Sequence, residues 1–222
     1  MAVYTHDMYT DELKRLLSPL ERRIFARLTS PQKIQDFLDT LSINFEKSGE
    51  TYMSPRRTLK TKTAHCFEGA LVAAVALAYH GEKPLLMDLR TEPDDEDHVV
   101  ALFRRNGLWG AMSKTNHATL RYRDPVYRSP RELAMSYFHE YIDKRGRKTL
   151  REYSAPFDLR KYETDSWLTA EFELVSLVND LDDSRHFPIV PKKNLRSLRR
   201  ATQFEIRTMD ATEWRARDNS TG

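Results

Sequence analysis

The run from Cys66 to Tyr79 constrains the fold of this chain more than any other part of its sequence. Nearly every position in the run is apolar, which is typical of a helix that is buried on all its faces. A helix of this kind needs other elements packed around it. The sequence therefore predicts a globular core with this helix inside it.

The chain's one cysteine, Cys66, opens this run, so its thiol is expected at the N-terminus of the helix. The positive end of the helix dipole stabilises a thiolate and lowers the pKa of the thiol, which favours a role as nucleophile. Free cysteines are also among the most buried residues and often only fill space. Position alone does not separate these readings, whereas a partner histidine would. The neighbouring His65 is expected to cap the helix or lie at the surface.

Length and composition are those of one soluble globular unit. A chain of 222 residues is long enough for one good core, and its apolar fraction of 40% and charged fraction of 31% are ordinary. The net charge of +3 allows an acidic partner but does not require one. A single cysteine excludes an intrachain disulfide and a multi-cysteine zinc site, and it fits a reducing compartment.

Nothing in the sequence predicts contact with a membrane. The N-terminal residues lack the basic and apolar regions of a signal peptide. The run from Cys66 to Tyr79 is too short to span a bilayer, and Glu68 lies inside it. We therefore expect a cytoplasmic protein without a membrane partner.

The hydrophobic pattern changes along the chain from helical to strand-like spacing. Helices are predicted before the buried run, and strands after it at 85–89, 98–104, 108–113 and 119–123. The predicted fold class is therefore α+β, with helices first and an antiparallel sheet after them. We divide the chain into an N-terminal helical segment (1–46), a core (47–160), a C-terminal mixed extension packed on the core (161–217) and a tail expected to be disordered (218–222).

His98 is the natural base for Cys66, because it follows an acidic loop and takes the first position of a predicted strand. Thiol catalysis needs a base that removes the proton and a third group that orients the base. A hairpin turn centred between Arg105 and Asn106 would pair His98 with Ser113, with their Cβ atoms about 4.5–5.5 Å apart. Ser113 is therefore the side chain expected to hold the imidazole.

A cysteine at a helix start, a histidine at a strand start and Gly107-x-Trp109 on the return strand resemble the core of the transglutaminase-like superfamily. The resemblance covers roughly residues 61–141. It implies a papain-like fold in which the cysteine helix packs on an antiparallel sheet. It also implies that Cys66 is the nucleophile and His98 the base.

The resemblance leaves the third catalytic residue open. The family usually has an aspartate a few residues past the return-strand tryptophan, and here Ser113 falls at that position. Asp124, in a later Asp-Pro pair, and Asn116, as in other papain-like enzymes, are the alternatives for orienting His98. Trp109 is expected to pack beside the site.

Charged and metal-binding side chains near the predicted site allow further interpretations. Lys114 lies among several arginines that either bind an anionic substrate or, as we favour, pair with carboxylates. The acidic stretch 94–97 is interpreted as a solvated loop, since cation sites usually draw carboxylates from alternating positions. Zinc held by Cys66, His98 and His117 has no support in the spacing, so we expect neither a metal nor a cofactor.

Together these features predict thiol-dependent acyl transfer or amide hydrolysis of a peptide or protein substrate, through a Cys66 thioester with His98 as base. The sequence does not decide between hydrolysis and cross-linking, and it does not fix the oligomeric state. If the orienting acid is lost, the same fold would be an inactive binding or scaffold module. A further alternative is a nucleic-acid-associated protein that uses the basic stretch after Pro188, although interleaved acids favour a solvated face there.

Overall fold

The computed structural model describes residues 6–46, 49–209 and 211–215, and it is a mixed α+β structure as the sequence predicts. The helices are α1 His6–Leu16, α2 Pro19–Arg27, α3 Pro31–Thr40, α4 Pro55–Thr61, α5 Cys66–Tyr79, α6 Pro130–Met135, α7 Thr164–Leu168, α8 Val175–Asp182 and α9 Gln203–Met209. The strands are β1 Ser42–Ile43, β2 Thr63–Ala64, β3 Leu85–Arg90, β4 His98–Arg105, β5 Leu108–Met112, β6 Arg123–Tyr127, β7 Glu152–Ser154, β8 Phe157–Asp158 and β9 His186–Pro188. The expected disordered tail, 218–222, lies outside the described residues.

Helix α5 is buried on every face, which confirms the prediction made from its sequence. All residues from Phe67 to Ala78 are buried. Helices α1 to α4 pack against one side of α5, and strands β3 and β4 lie against the other. The small alanines along α5 let these neighbours approach closely, and removing this much apolar surface from water is the main stabilising contribution of the helix.

One apolar cluster joins the three segments into which the sequence was divided. It contains Leu13 and Phe25 from the N-terminal helices, all the buried apolar residues of α5, and Trp167 and Leu181 from α7 and α8. A second cluster covers the opposite face of the sheet, around Val100 and Leu133. The sheet therefore has a core on both faces.

The main sheet is antiparallel throughout, with strand order β6-β5-β4-β3-β7-β9 and with β8 pairing along β3. A separate short parallel pair, β1 and β2, lies just before α5. Strand β4 is central in the main sheet, and its first residue is His98. The two predicted catalytic residues, Cys66 and His98, are the first residues of α5 and β4.

The β4–β5 hairpin has a different register from the one predicted. Its turn residues are Asn106 and Gly107, both with positive φ (52° and 82°), a conformation that asparagine and glycine adopt most easily. Strand pairing therefore runs from Arg105 with Leu108 to Ala101 with Met112. The predicted pairing of His98 with Ser113 is wrong, because the turn lies one residue later and each partner moves by two.

The predicted strand at 119–123 is also displaced. Residues Ala118–Leu120 form a 3₁₀ turn, and strand β6 begins only at Arg123. This strand includes the Asp124-Pro125 pair and lies at the edge of the sheet, where a proline without a backbone N–H is tolerated. No helix among the described residues has the length and apolar character needed to cross a membrane.

A buried ion pair links β3 to β9 and is expected to make stability depend on pH. His186 Nδ1 lies 2.7 Å from the Ser184 carbonyl and Nε2 lies 3.0 Å from Asp88, so both nitrogens face acceptors and the ring fits best as an imidazolium. Burial lowers the pKa of His186, but the hydrogen bonds to Asp88 and to the Ser184 carbonyl, together with the charge of Asp88, outweigh burial and raise the pKa.

The stabilisation from this pair should be complete below the unfolded-state pKa of about 6.5 and lost as the pH rises through the raised pKa of the folded protein. As the pH rises through this range, the free energy of unfolding of the unmodified protein should fall by about 1–3 kcal/mol relative to that of the His186→Gln variant. Urea unfolding of both proteins across this pH range measures the difference. A constant difference between them would show that the pKa of His186 does not change on folding, and a difference that grows as the pH rises would show that His186 is neutral when folded.

Candidate active site

The chain enters α5 through a capping box that fixes the position of Cys66. The side chain of His65 caps the helix, with Nδ1 accepting a hydrogen bond from the Phe67 backbone N–H at 3.3 Å. Glu68, at the third helical position, accepts one from the His65 N–H at 3.0 Å. The prediction that His65 caps the helix is confirmed. Cys66 is thereby held as the first residue of α5, where its thiol feels the positive end of the dipole.

Glu68 ties the preceding loop to this helix start, a role that the sequence reasoning missed. Its carboxylate is fully buried and accepts hydrogen bonds from Met53 N at 3.1 Å and Thr51 Oγ1 at 3.0 Å, with Asn44 Nδ2 at 3.3 Å. The signal for it was the three-residue spacing between His65 and Glu68, which is that of a capping box.

His65 also contacts the thiol. Its Nε2 lies 2.6 Å from the Thr51 carbonyl oxygen, which can only accept, so Nε2 carries a proton. Its Nδ1 lies 3.9 Å from Cys66 Sγ. The carboxylates of Glu46 and Glu68 are each 3.6 Å from Nε2 and favour positive charge on the ring. The histidine next to the cysteine therefore has the orienting partners that a catalytic imidazole requires.

His98 is also near the thiol. It is 4% exposed, lines the same cavity as Cys66, and is one of the two histidines that lower the pKa of the thiol. Its Nε2 is buried and has no hydrogen-bond partner among the described residues. The structure therefore brings together Cys66 and His98, the two residues paired in the sequence analysis.

The surroundings of the thiol favour its ionised form. Burial raises the pKa of Cys66, but hydrogen bonds from His65 and His98 and the positive charge of both rings outweigh burial and lower this pKa to about 6. Burial lowers the pKa of His65, yet the thiolate, Glu68 and the Thr51 carbonyl raise it to about 10. Near neutral pH the site therefore holds a thiolate beside an imidazolium. In that state Nδ1 of His65 donates to the sulfur instead of accepting from Phe67.

None of the three residues expected to orient His98 is seen bonded to it. The Ser113 hydroxyl is 2.9 Å from the Leu120 carbonyl and 3.0 Å from that of Arg121, where it donates. Asn116 exchanges two hydrogen bonds with the backbone of Trp214, at 2.9 Å and 2.7 Å. Asp124 is exposed on edge strand β6 and is not part of the cavity wall.

Of the two remaining predicted site residues, one lines the cavity and the other does not. Lys114 is buried and lines the cavity. Trp109 lies near the hairpin turn, packs on the second apolar cluster and carries the Arg104 guanidinium 4.9 Å from its ring centre. It does not line the cavity, so the expectation that it packs beside the site is wrong.

The cavity that holds Cys66 and His98 is an open cleft of about 1100 Å³. Its walls are residues 43–46, the acidic loop, residues 114–117, the turn around residues 141–147, and a C-terminal wall that includes Ile206, Met209 and Thr212. The C-terminal wall is attached by a backbone bridge between His117 and Thr212 and by the bonds of Asn116. The C-terminal extension is therefore part of the site.

The acidic loop is held by neighbours rather than open to a cation. Asp94 pairs with Arg147 at 3.2 Å, Asp95 accepts from the Thr149 hydroxyl, and Asp97 accepts from Thr91 N at 2.7 Å. In the described parts of the chain, the side chains that converge closely enough for a metal are Asp88, Asp97 and Asp182. They do not include Cys66, His98 and His117.

Comparisons with known proteins add no assignment. No protein-family model matches the chain, and a search of curated proteins finds no match either. The geometry of this site is therefore the basis for assigning a function.

Proposed function

We propose that the protein is a thiol-dependent acyltransferase or amide hydrolase of the transglutaminase-like type, with Cys66 as its nucleophile. The observation that carries the proposal is a thiol at a helix N-terminus, near two imidazoles and at the wall of a large cleft. The thiol pKa of about 6 makes the thiolate the main species at neutral pH. A core cysteine without function would need none of these features.

In the proposed reaction the Cys66 thiolate attacks a substrate carbonyl carbon, forming the C–S bond and moving the carbonyl π electrons onto oxygen. The backbone N–H of Cys66, at the start of α5, is a donor available to that oxyanion. Collapse re-forms the carbonyl and expels the leaving amine, which takes a proton from an imidazolium. Water or an amine then attacks the thioester, loses its proton to the imidazole and releases the thiolate.

His98 is the better candidate for moving these protons. Its Nε2 has no hydrogen-bond partner in the described structure and is free to exchange a proton with the substrate. In the neutral ring, both nitrogens of His65 are engaged, one by the Thr51 carbonyl and one by the Phe67 N–H. We therefore assign His65 the role of stabilising the thiolate.

This division of roles differs from the triad that the resemblance implies. In place of an aspartate that orients His98, a second histidine beside the cysteine supplies positive charge to the thiolate. The packing of α5 on an antiparallel sheet, with His98 at the start of a central strand, supports a papain-like core. A peptide or protein substrate fits the size and openness of the cleft.

The pH dependence of alkylation tests the proposal directly. Since Cys66 is the only cysteine, the mass added by iodoacetamide reports one site. The labelling rate should rise with a midpoint near pH 6 and level off above it, because the thiolate is the reacting form. A midpoint near the ordinary thiol pKa of about 8.5, or no labelling of the folded protein, would contradict a catalytic role. The inactive binding module would then be the better reading.

A further inference from the structure

Lys114, in the wall of the cleft, has no role in the reaction described above. Lys114 is 1% exposed, and its Nζ has no hydrogen-bond partner among the described residues. A buried ammonium without a partner is costly, and burial lowers the pKa of this lysine. Such a group is retained most readily where a ligand completes its hydrogen bonds.

The carboxylates nearest to Lys114 are already paired with another cation. Asp39 and Glu213 are near enough to favour the charged form of Lys114. Both form ion pairs with Arg121, that of Asp39 at 3.9 Å. Arg121 itself repels Lys114. One arginine thus pairs with both carboxylates, so these four side chains are neutral together, while Lys114 Nζ itself has no hydrogen-bond acceptor among the described residues.

A second unsatisfied donor lies beside it. The indole Nε1 of Trp214 is buried and without a partner in the described structure, and Lys114 Nζ lies 5.7 Å from the centre of the Trp214 rings. Both atoms can only donate hydrogen bonds. Both donors therefore lack an acceptor, and one carboxylate has two oxygens that can accept hydrogen bonds.

Lys114 also packs against the first turn of the cysteine helix. A Cβ atom at Gly69 would lie 2.3 Å from the Lys114 Cβ, so the absence of a side chain at Gly69 makes room for the lysine. Cys66 and Gly69 are three residues apart on one helix face, which places the Lys114 Cβ within roughly 8 Å of the Cys66 Cβ. Lys114 therefore lies beside the helix turn that carries the nucleophile and lines the same cleft.

We propose that Lys114 Nζ and Trp214 Nε1 form a subsite that binds a carboxylate of the substrate next to the carbonyl that Cys66 attacks. Lys114, Arg121, Asp39 and Glu213 together have no net positive charge, which favours a singly charged carboxylate over a doubly charged phosphate. This inference rests on the proposed function in that Cys66 is the reacting group. It adds that the enzyme selects acidic acyl substrates.

Matched thiol probes test the subsite in the full chain. The Cys66 thiolate adds to the double bond of a maleimide, and the resulting carbanion takes a proton from water. The labelling rates of 3-maleimidopropanoate and its neutral amide are compared. Lys114→Met should lower the rate of the acid about 10- to 100-fold, the value of a charge-assisted hydrogen bond, and leave that of the amide within about twofold. Trp214→Phe, which keeps the ring and removes the N–H, should lower only the acid rate, about three- to tenfold.

Lys144→Met is the matched control, because this exposed lysine lines the same cleft and its loss changes the net charge equally. It should change the acid-to-amide ratio by less than about twofold. In the unmodified protein, propanoate should slow labelling by the amide, whereas propanamide should not. Equal protection by both, or equal effects of the two lysine variants, would overturn the subsite.

The outcomes also separate this inference from the proposed function. Slow labelling by both probes at pH 7 would contradict the role of Cys66 as an activated nucleophile. Fast labelling by both, with no change in their ratio in Lys114→Met or Trp214→Phe, would contradict the carboxylate subsite alone. Stronger protection by inorganic phosphate than by propanoate would overturn the choice of a carboxylate.

Discussion

Replacing His98 with alanine is expected to lower the steady-state hydrolysis of 4-nitrophenyl acetate by about 100- to 10,000-fold. This activated ester needs no specific substrate contacts, so its turnover reports on the thiol and its base. Nitrophenolate leaves without a proton, and His65 still stabilises the thiolate in the variant. Acylation should therefore persist, while attack of water on the thioester, which needs the base, should slow. We expect an initial burst of nitrophenolate and accumulation of the acetyl-enzyme by intact mass.

His139→Ala is the matched control for this experiment, since it removes an exposed imidazole by the same substitution. Its turnover should equal that of the unmodified protein, and Cys66→Ala should show neither burst nor turnover. The assignment of roles would be wrong if His98→Ala kept normal turnover while His65→Gln lost it. In that case His65, oriented by the Thr51 carbonyl, would be the base.

Replacing Glu68 with alanine is expected to reduce the free energy of unfolding by roughly 3–5 kcal/mol. The carboxylate is fully buried, and its removal leaves the backbone N–H groups of Met53 and His65 and the Thr51 hydroxyl without their acceptor. Leaving buried donors unsatisfied costs far more than the net contribution of each bond. Chemical denaturation followed by circular dichroism measures the loss.

The control for Glu68 is another first-turn glutamate in an exposed setting. Glu132 accepts a hydrogen bond from the Arg128 N–H at 2.7 Å at the start of α6, and its side chain faces solvent. Glu132→Ala should cost no more than about 1 kcal/mol. Equal losses in the two variants would show that Glu68 acts only as an ordinary helix cap. Glu68→Gln, which keeps the shape of the side chain, should fall between the two.

Local features of the chain could be predicted from the sequence because each depends on residues close together. The apolar character of α5 made it a buried helix in any arrangement, and the predicted strands β3 and β4 appear at nearly the expected residues. The pairing of Cys66 with His98 was also anticipated, from the position of His98 at a predicted strand start and from the family resemblance. Cys66 begins α5 and His98 begins β4, and these two starts meet at one edge of the packed helix and sheet.

The predictions that failed depended on small displacements along the chain. Moving the hairpin turn from 105–106 to 106–107 shifts every cross-strand pair by two residues, so Ser113 is not opposite His98. Its hydroxyl instead donates to the carbonyls of the following turn. The turn position follows from the preference of asparagine and glycine for positive φ, a signal that was present in the sequence.

Other features of the site had no sequence signal that pointed to a function. His65 was identified as a helix cap, and only the position of the Thr51 carbonyl shows which of its nitrogens faces the thiol. The unsatisfied atoms of Lys114 and Trp214 come from distant parts of the chain. Their proximity arises because the C-terminal segment crosses the cleft at Asn116 and His117.

The sequence by itself determined that an apolar helix headed by one cysteine lies inside an α+β core, because burial of that helix depends only on its own composition. Tertiary structure decided which polar groups meet the thiol and the cleft around it. Hydrogen bonds act only over about 3 Å, and the separation of atoms on distant segments is set by strand register and by the path of the C-terminal wall.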